Sequence, residues 1–168
     1  MPTAAASRTI VASPQAVWDV VGDPHHLPRW WPRVTRVEGV EDGAFTEVLA
    51  GRKGKVVRAD FKLVQASPPQ RVVWSQRLQG TPFEGVLASA VTQIDLAPRQ
   101  DGADRLTDVR IELRQELPKP LRARSGGGML SGVLRGVPLF GGPIVQRAAA
   151  RTLEQALDGL TQVFGDGR

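Results

Sequence analysis

The chain has no cysteine and no tyrosine, and its 168 residues hold only two histidines, the neighbours His25 and His26. Without cysteine there is neither a disulfide framework nor a thiolate metal site. A single histidine pair argues against a His-rich zinc site or an extended His relay, and no other metal-ligand spacing is present. No metal or other cofactor is expected. No Gly-x-Ser-x-Gly nucleophile elbow occurs. Gly126-Gly127-Gly128 is not a phosphate loop, because no Lys-Ser/Thr follows it. Aromatic residues are only 5% of the chain, and basic residues are not interleaved with them in any stretch. The formal net charge of +5 is carried mostly by scattered arginine, which reads as a solvated surface. Nucleic acid is therefore not an expected partner. Met1 to Ser7 is short, small and polar and gives no secretory signal, so a cytoplasmic location is the expectation.

What is present begins with the last helix. From Pro143 to Phe164, Val145, Ala149, Leu153, Ala156, Leu160 and Val163 fall on one face at 100° per residue. Arg147, Arg151, Glu154 and Asp158 fall on the other. Pro143 suits the first turn and Gly165 the stop. Two inward positions, Ala149 and Ala156, are small; they either bring the helix close to its support or leave space beside it.

The support is a sheet. Arg8 to Ala12 reads as a first strand. Ser13-Pro14 then opens a short helix, with Ser13 as cap and Pro14 in the first turn. Gly22-Asp23-Pro24 breaks it, and a second short helix runs from Pro24 toward Arg29. Strands follow at Val34–Val40 and Ala44–Ala50, joined by the Asp42-Gly43 turn. Val56–Ala66 alternates, with Val57, Ala59, Phe61 and Leu63 on one face. Pro68-Pro69 ends it. Arg71–Gln79 places Val72, Trp74, Gln76 and Leu78 together. Thr81–Leu96 reads as one long strand with a bulge at Gly85. Leu106–Leu117 is the last, with Thr107, Val109, Ile111 and Leu113 alternating against Asp108, Arg110, Glu112 and Arg114. One face of the sheet is thus wet and the other apolar.

The run Ile10-Val11-Ala12-Ser13-Pro14-Gln15-Ala16-Val17-Trp18, then Asp23-Pro24, then Leu27-Pro28-Arg29-Trp30-Trp31-Pro32, resembles the opening of START-like (SRPBCC) proteins of polyketide cyclase/dehydrase type. The resemblance covers about residues 8–117 and 143–164. It implies an α+β helix-grip fold: a seven-stranded curved antiparallel sheet wrapped around a long C-terminal helix, with two short helices between strands 1 and 2. One domain, 1–168, is expected. The resemblance also implies a sheet that curves away from the helix and leaves a cavity. It specifies a fold and leaves the chemistry open.

Residues 118–142 stand outside it, as a Gly-rich apolar loop before the helix. From Gly126 to Val145 the only charge is Arg135, and the stretch is too glycine-rich, and too interrupted by Pro138, for a membrane span. It reads as a loop folded on the core, as a contact with a second copy in a homodimer, or as a lid. As a lid, residues 126–140 would touch a membrane peripherally through Met129, Leu130, Leu134, Leu139 and Phe140, with Arg122, Arg124 and Arg135 facing anionic headgroups.

The expected ligand-binding set is Phe45, Phe61, Trp74, Gln76, Leu78, Thr107, Val109 and Ile111 on the strands, closed by Val145, Ala149 and Leu153 of the helix. Such a lining, apolar with few polar members, is the usual build of a small-molecule site. A polar group buried without a partner costs roughly 1–3 kcal/mol, so an interior Gln76 should meet backbone, water or ligand. Trp30 and Trp31 are expected to lock the short helices to the sheet edge. The expected function is to bind a hydrophobic small molecule, a lipid, isoprenoid or polyketide, as carrier or sensor. One alternative is a polyketide aromatase/cyclase in the same cavity, which needs an acid/base group there; Glu47 and Glu84 are the strand carboxylates whose facing decides it. Another is a protein-partner module like co-chaperone relatives of the fold, which predicts a filled interior. His25 and His26 are expected to be surface residues without a catalytic role.

Overall fold

Seven strands form one antiparallel sheet in the order β1-β7-β6-β5-β4-β3-β2, so the chain meanders from β2 to β7 and closes with β1 at the far edge. The computed structural model describes residues 3–99, 105–118 and 141–165. The strands are β1 (Thr3–Ile10), β2 (Val34–Glu41), β3 (Ala44–Ala50), β4 (Val56–Ser67), β5 (Arg71–Arg77), β6 (Ser89–Pro98) and β7 (Thr107–Glu116). Between β1 and β2 lie α1 (Pro14–Val21), a single 3-10 turn at Pro24–His26, and α2 (Leu27–Trp30). The long helix α3 spans Gly141–Gly165. This is the helix-grip architecture expected from the sequence.

Local chemistry explains the boundaries. The Ser13 hydroxyl accepts from the Ala16 N–H and Pro14 occupies the first turn of α1, as a capped helix start requires. Asp42 and Gly43 take φ of 49° and 76°, the pair of left-handed residues that a tight hairpin between β2 and β3 needs. Two boundaries differ from the sequence reading. The first strand lies earlier, at Thr3–Ile10, because Ala4 and Ala6 alternate inward while Val11 is left exposed. The long strand expected from Thr81 begins only at Ser89. Gly80 turns at a φ of 72°, and the Thr81 hydroxyl donates to the Leu78 carbonyl and accepts from the Phe83 N–H. These local bonds compete with a ladder, and residues 78–88 become a turn-rich connection.

The core lies between the inward face of the sheet and α3. Leu153, Ala156, Leu157 and Leu160 of α3 are completely buried, with Ile94, Val109 and Ile111 beneath them. Each large aliphatic buried in this way stabilises the fold by roughly 1.5–3 kcal/mol. On the helix's outer side Glu154 and Asp158 both accept from the Arg8 guanidinium, tying β1 to α3. At Gly159 the helix passes so close to α2 that an added Cβ would collide with the Trp30 carbonyl oxygen. The segment 119–140, which carries the expected lid and membrane contact, lies outside the described residues. Among the described residues no helix is long and apolar enough to cross a membrane.

Candidate functional site

Helix α3 does not cover the sheet evenly. It lies along β1, β7 and α2, while β3, β4 and β5 belong to the half of the sheet that curves away. The space left between them is a cavity of about 510 Å³. Sheet positions Leu49, Val57, Ala59, Phe61, Trp74, Ala90 and Leu113 supply an apolar wall. Val145, Ala148, Ala149 and Thr152 of α3 form the opposite side, and Phe83, Val86 and Leu87 come from the connection between β5 and β6. Trp31, Pro32 and Arg33 close one end. The polar sheet members are Glu47, Gln76, Thr92 and Gln115. The volume and the lining, apolar with a few polar groups, both match those of small-molecule sites. A larger hollow of about 810 Å³ near the β3–β5 end takes residues from both faces of the sheet, Thr46 and Lys62 as well as Phe45 and Phe61. It is a surface groove around the sheet's rim, and it lacks the helix wall.

The expected lining residues separate into two groups. Phe61, Trp74, Gln76, Val145 and Ala149 stand on the cavity wall. Phe45 stands behind it, stacked on Phe61 at 5.3 Å and edge-on to Trp74 at 5.7 Å between ring centres. Leu78 joins a small cluster with Leu87 and Ala90 under the 78–88 connection. Thr107 donates its hydroxyl to the Ala12 carbonyl at 2.8 Å and is fully buried. Val109, Ile111 and Leu153 lie where α3 packs directly on the sheet and have no exposed surface. Trp30 packs beneath α3, edge-on to Trp31 at 5.3 Å, so only Trp31 faces the cavity.

The polar wall is where sequence reasoning stops short. Glu47 points inward and is 5% exposed. Its facing is readable in the sequence, because residues two apart on a strand share a face and Phe45 is an expected inward residue. Glu47 pairs across the ladder with Ala59 and Val37, neither of which brings a polar side chain. Among the described residues its carboxyl has no hydrogen-bond or ion-pair partner. Removal from water disfavours the charged form, and burial pushes the Glu47 carboxyl up to about 8. The Gln76 amide likewise makes no hydrogen bond among the described residues. Glu84 is exposed and accepts from the Gly80 N–H at 3.2 Å, away from the cavity. His25 pairs with Asp23 at 2.8 Å and His26 with Arg29 at 3.1 Å, and neither lines the cavity. Among the described residues no cluster of His, Asp and Glu could hold a metal ion.

Comparisons with known proteins agree with this geometry. The family model described as polyketide cyclase/dehydrase and lipid transport matches residues 1–165. Among solved structures, a START superfamily protein from Mycobacterium smegmatis superposes with a TM-score of 0.69 at 13% identity, over 97% of each chain. A conserved protein from Geobacillus kaustophilus gives 0.70 at 16% identity, over 97% of this chain and 95% of the other. A protein from Thermus thermophilus gives 0.64 at 22% identity, over 96% and 95%. At these identities the likeness is one of fold. Among curated proteins none matches.

Proposed function

The chain belongs to the polyketide cyclase/dehydrase and lipid transport family, and from that premise we propose that it binds a hydrophobic small molecule in the cavity between α3 and the curved half of the sheet. The observation that carries the proposal is the cavity of about 510 Å³ with its aromatic and aliphatic wall. A lipid, isoprenoid or polyketide-like molecule suits that wall, and transport or sensing needs nothing more than binding and release. A protein-partner role of co-chaperone type calls for a filled interior, and the cavity gives it no support. Burying apolar ligand surface against such a wall contributes roughly 25 cal/mol per Å².

The test is a plugged cavity. Ala149→Trp would project an indole from α3 into the space, next to Val145 and opposite Trp74. Native mass spectrometry of the purified protein, followed by solvent extraction, should release a hydrophobic molecule from the wild type and none from the plugged variant. The same cargo on both, or none on either together with no uptake of a fluorescent lipid probe, would defeat the proposal.

One observation favours a second reading. A polyketide cyclase in the same cavity needs a group to move protons next to a carbonyl, and Glu47 is a carboxyl on the cavity wall. Turnover of a poly-β-ketone substrate that Glu47→Gln abolishes while binding persists would support it; equal product profiles with and without protein would remove it.

A further inference from the structure

A cavity built only to hold hydrocarbon has no use for an acid in its wall. Glu47 sits on the middle of β3 with its carboxyl facing the space, 5% exposed, opposite the small side chain of Ala59. Ala59 leaves the approach to the carboxyl open from the β4 side. A carboxyl so placed loses water on folding and gains no protein partner among the described residues. Leaving such a group unmatched costs more than a matched bond gains. The Gln76 amide, half-buried on the neighbouring row and two strands away, with Phe61 as its ladder partner, also makes no hydrogen bond among the described residues but keeps access to the open space. The wall therefore offers polar groups that a ligand can complete, and among them Glu47 is the one titratable acid.

Resting on the cavity reading above, we propose that Glu47 is the anchor that sets ligand class: its carboxylic acid donates a hydrogen bond to a carbonyl oxygen of a neutral amphiphile and turns away carboxylate lipids. A neutral acid carries one O–H donor, and a ketone, ester or aldehyde oxygen is its complement. A fatty-acid carboxylate would have to leave water for a largely apolar wall on which the one other charged residue described, Arg33, is exposed, and that desolvation disfavours its charged form. An ammonium lipid would require two charges to leave water together, a cost that one buried ion pair does not reliably recover.

The surroundings of Glu47 leave it neutral. On β2 the charged residues Arg36 and Glu38 flank Val37, its ladder partner, and bond to each other on the sheet's outer face. On β4 Arg58 bonds Glu38 and Asp60 accepts from the Thr46 hydroxyl, also on that face, where Lys62 and the β5 residue Arg77 lie too. On β7 Glu112 is engaged by Arg110 and Arg114. On α3 Arg147 and Arg151 are exposed, and Glu154 and Asp158 are held by Arg8. In the 78–88 connection Glu84 is exposed. Arg33 is the one other charged residue on the cavity wall among those described; it is exposed and donates its Nε to the Ala50 carbonyl at 3.2 Å. Burial then governs the Glu47 carboxyl, which titrates at about 8.

The experiment titrates full-length protein with 2-undecanone, decanoate and decylamine, read by tryptophan emission, since Trp31 and Trp74 line the wall. Binding of 2-undecanone by the wild type should weaken roughly fivefold between pH 6.5 and 9.5, the value of about one hydrogen bond. Glu47→Gln keeps an N–H donor and cannot titrate, so it should bind the ketone within about twofold at pH 6.5 and show no pH dependence. Glu47→Leu should bind it roughly fivefold more weakly at pH 6.5, and flatly. Decanoate should bind the wild type more weakly than the ketone. Ketone affinity that is equal in all three proteins and flat with pH overturns the anchor and leaves the cavity reading standing. Decylamine binding that is tightest of the three and lost in Glu47→Gln also overturns it, and makes Glu47 a counter-ion. If no probe alters the emission, and a fluorescent lipid is not taken up, the cavity reading falls as well. Should Glu47→Leu fail to fold, the wild type and Glu47→Gln decide alone, because a pH-flat wild type overturns the anchor.

Discussion

A buried acid without a partner leaves a trace in stability even when no ligand is present. In the unfolded chain Glu47 should titrate near its ordinary value of 4.5, whereas in the folded protein burial holds it at about 8. Because the folded value is the higher one, the folded state keeps its proton where the unfolded state has lost it. The penalty is absent below about pH 4.5, grows as pH rises, and levels off above about pH 8. One pH unit in the middle of that window is worth about 1.4 kcal/mol, and the slope flattens at both ends, so between pH 5 and pH 8 the wild type should lose roughly 3–4 kcal/mol through this residue alone. Glu47→Gln removes the titration and leaves the other ionisable groups in place. Urea unfolding of both proteins at pH 5, 6, 7 and 8 isolates the effect as the difference between two curves. The variant should be the more stable at pH 8, by roughly 3–4 kcal/mol relative to its standing at pH 5. Parallel curves would show that Glu47 titrates alike in both states, and would refute the placement of its carboxyl in a dry wall.

Two further substitutions probe the walls of the site. Trp74→Ala removes a ring that packs edge-on to Phe45 and faces the cavity; it should cost about 3 kcal/mol, the lower end for such truncations because one side of the ring already faces space. It should also weaken fluorescent-lipid binding, and unchanged affinity would remove Trp74 from the site. Gly159→Ala gains about 1 kcal/mol of helix propensity but drives a Cβ into the Trp30 carbonyl oxygen. The displaced backbone should outweigh the gain, leaving the variant about 1–2 kcal/mol less stable by urea unfolding; a stabilised variant would show that α2 yields freely.

Most of the architecture is legible because it is written in periods. The alternation of Val57, Ala59, Phe61 and Leu63, and the 3.6-residue stripe of Leu153, Ala156 and Leu160, each name a face without reference to any partner. Ser13-Pro14 and Asp42-Gly43 fix their ends by short-range chemistry. The 78–88 connection reads as strand because Val86 and Leu87 are apolar; they pack against Phe83, Ala90 and Leu117 in a small cluster of their own instead of extending β6. Apolar residues specify burial, and only the bonds around Thr81 specify a turn. The start of β1 is obscured for the opposite reason, since Ala4 and Ala6 carry too little apolar surface to mark a strand.

Which inward residues line a space and which are simply packed is a different kind of question, and no single strand answers it. Trp74 and Val109 both point inward, yet the first borders the cavity and the second is completely buried. The distinction depends on where α3 crosses the sheet. That crossing is fixed by contacts far apart in sequence: Arg8 with Glu154 and Asp158, Gly159 against Trp30, and Ala4 and Ala6 in the core beside α3. These hold the C-terminal half of α3 down on β1 and α2. The N-terminal half touches β1 through Gln146, whose amide donates to the Thr3 carbonyl at 3.2 Å, while Val145, Ala149 and Thr152 face the curved strands across open space. The two small residues noted on the helix illustrate the split, since Ala156 is fully buried in the packed half while Ala149 stands on the cavity wall. A binding site made in this way depends on stability and function using different turns of one helix. Substitutions near Gly159 should therefore act on folding, and those near Ala149 on what the cavity accepts.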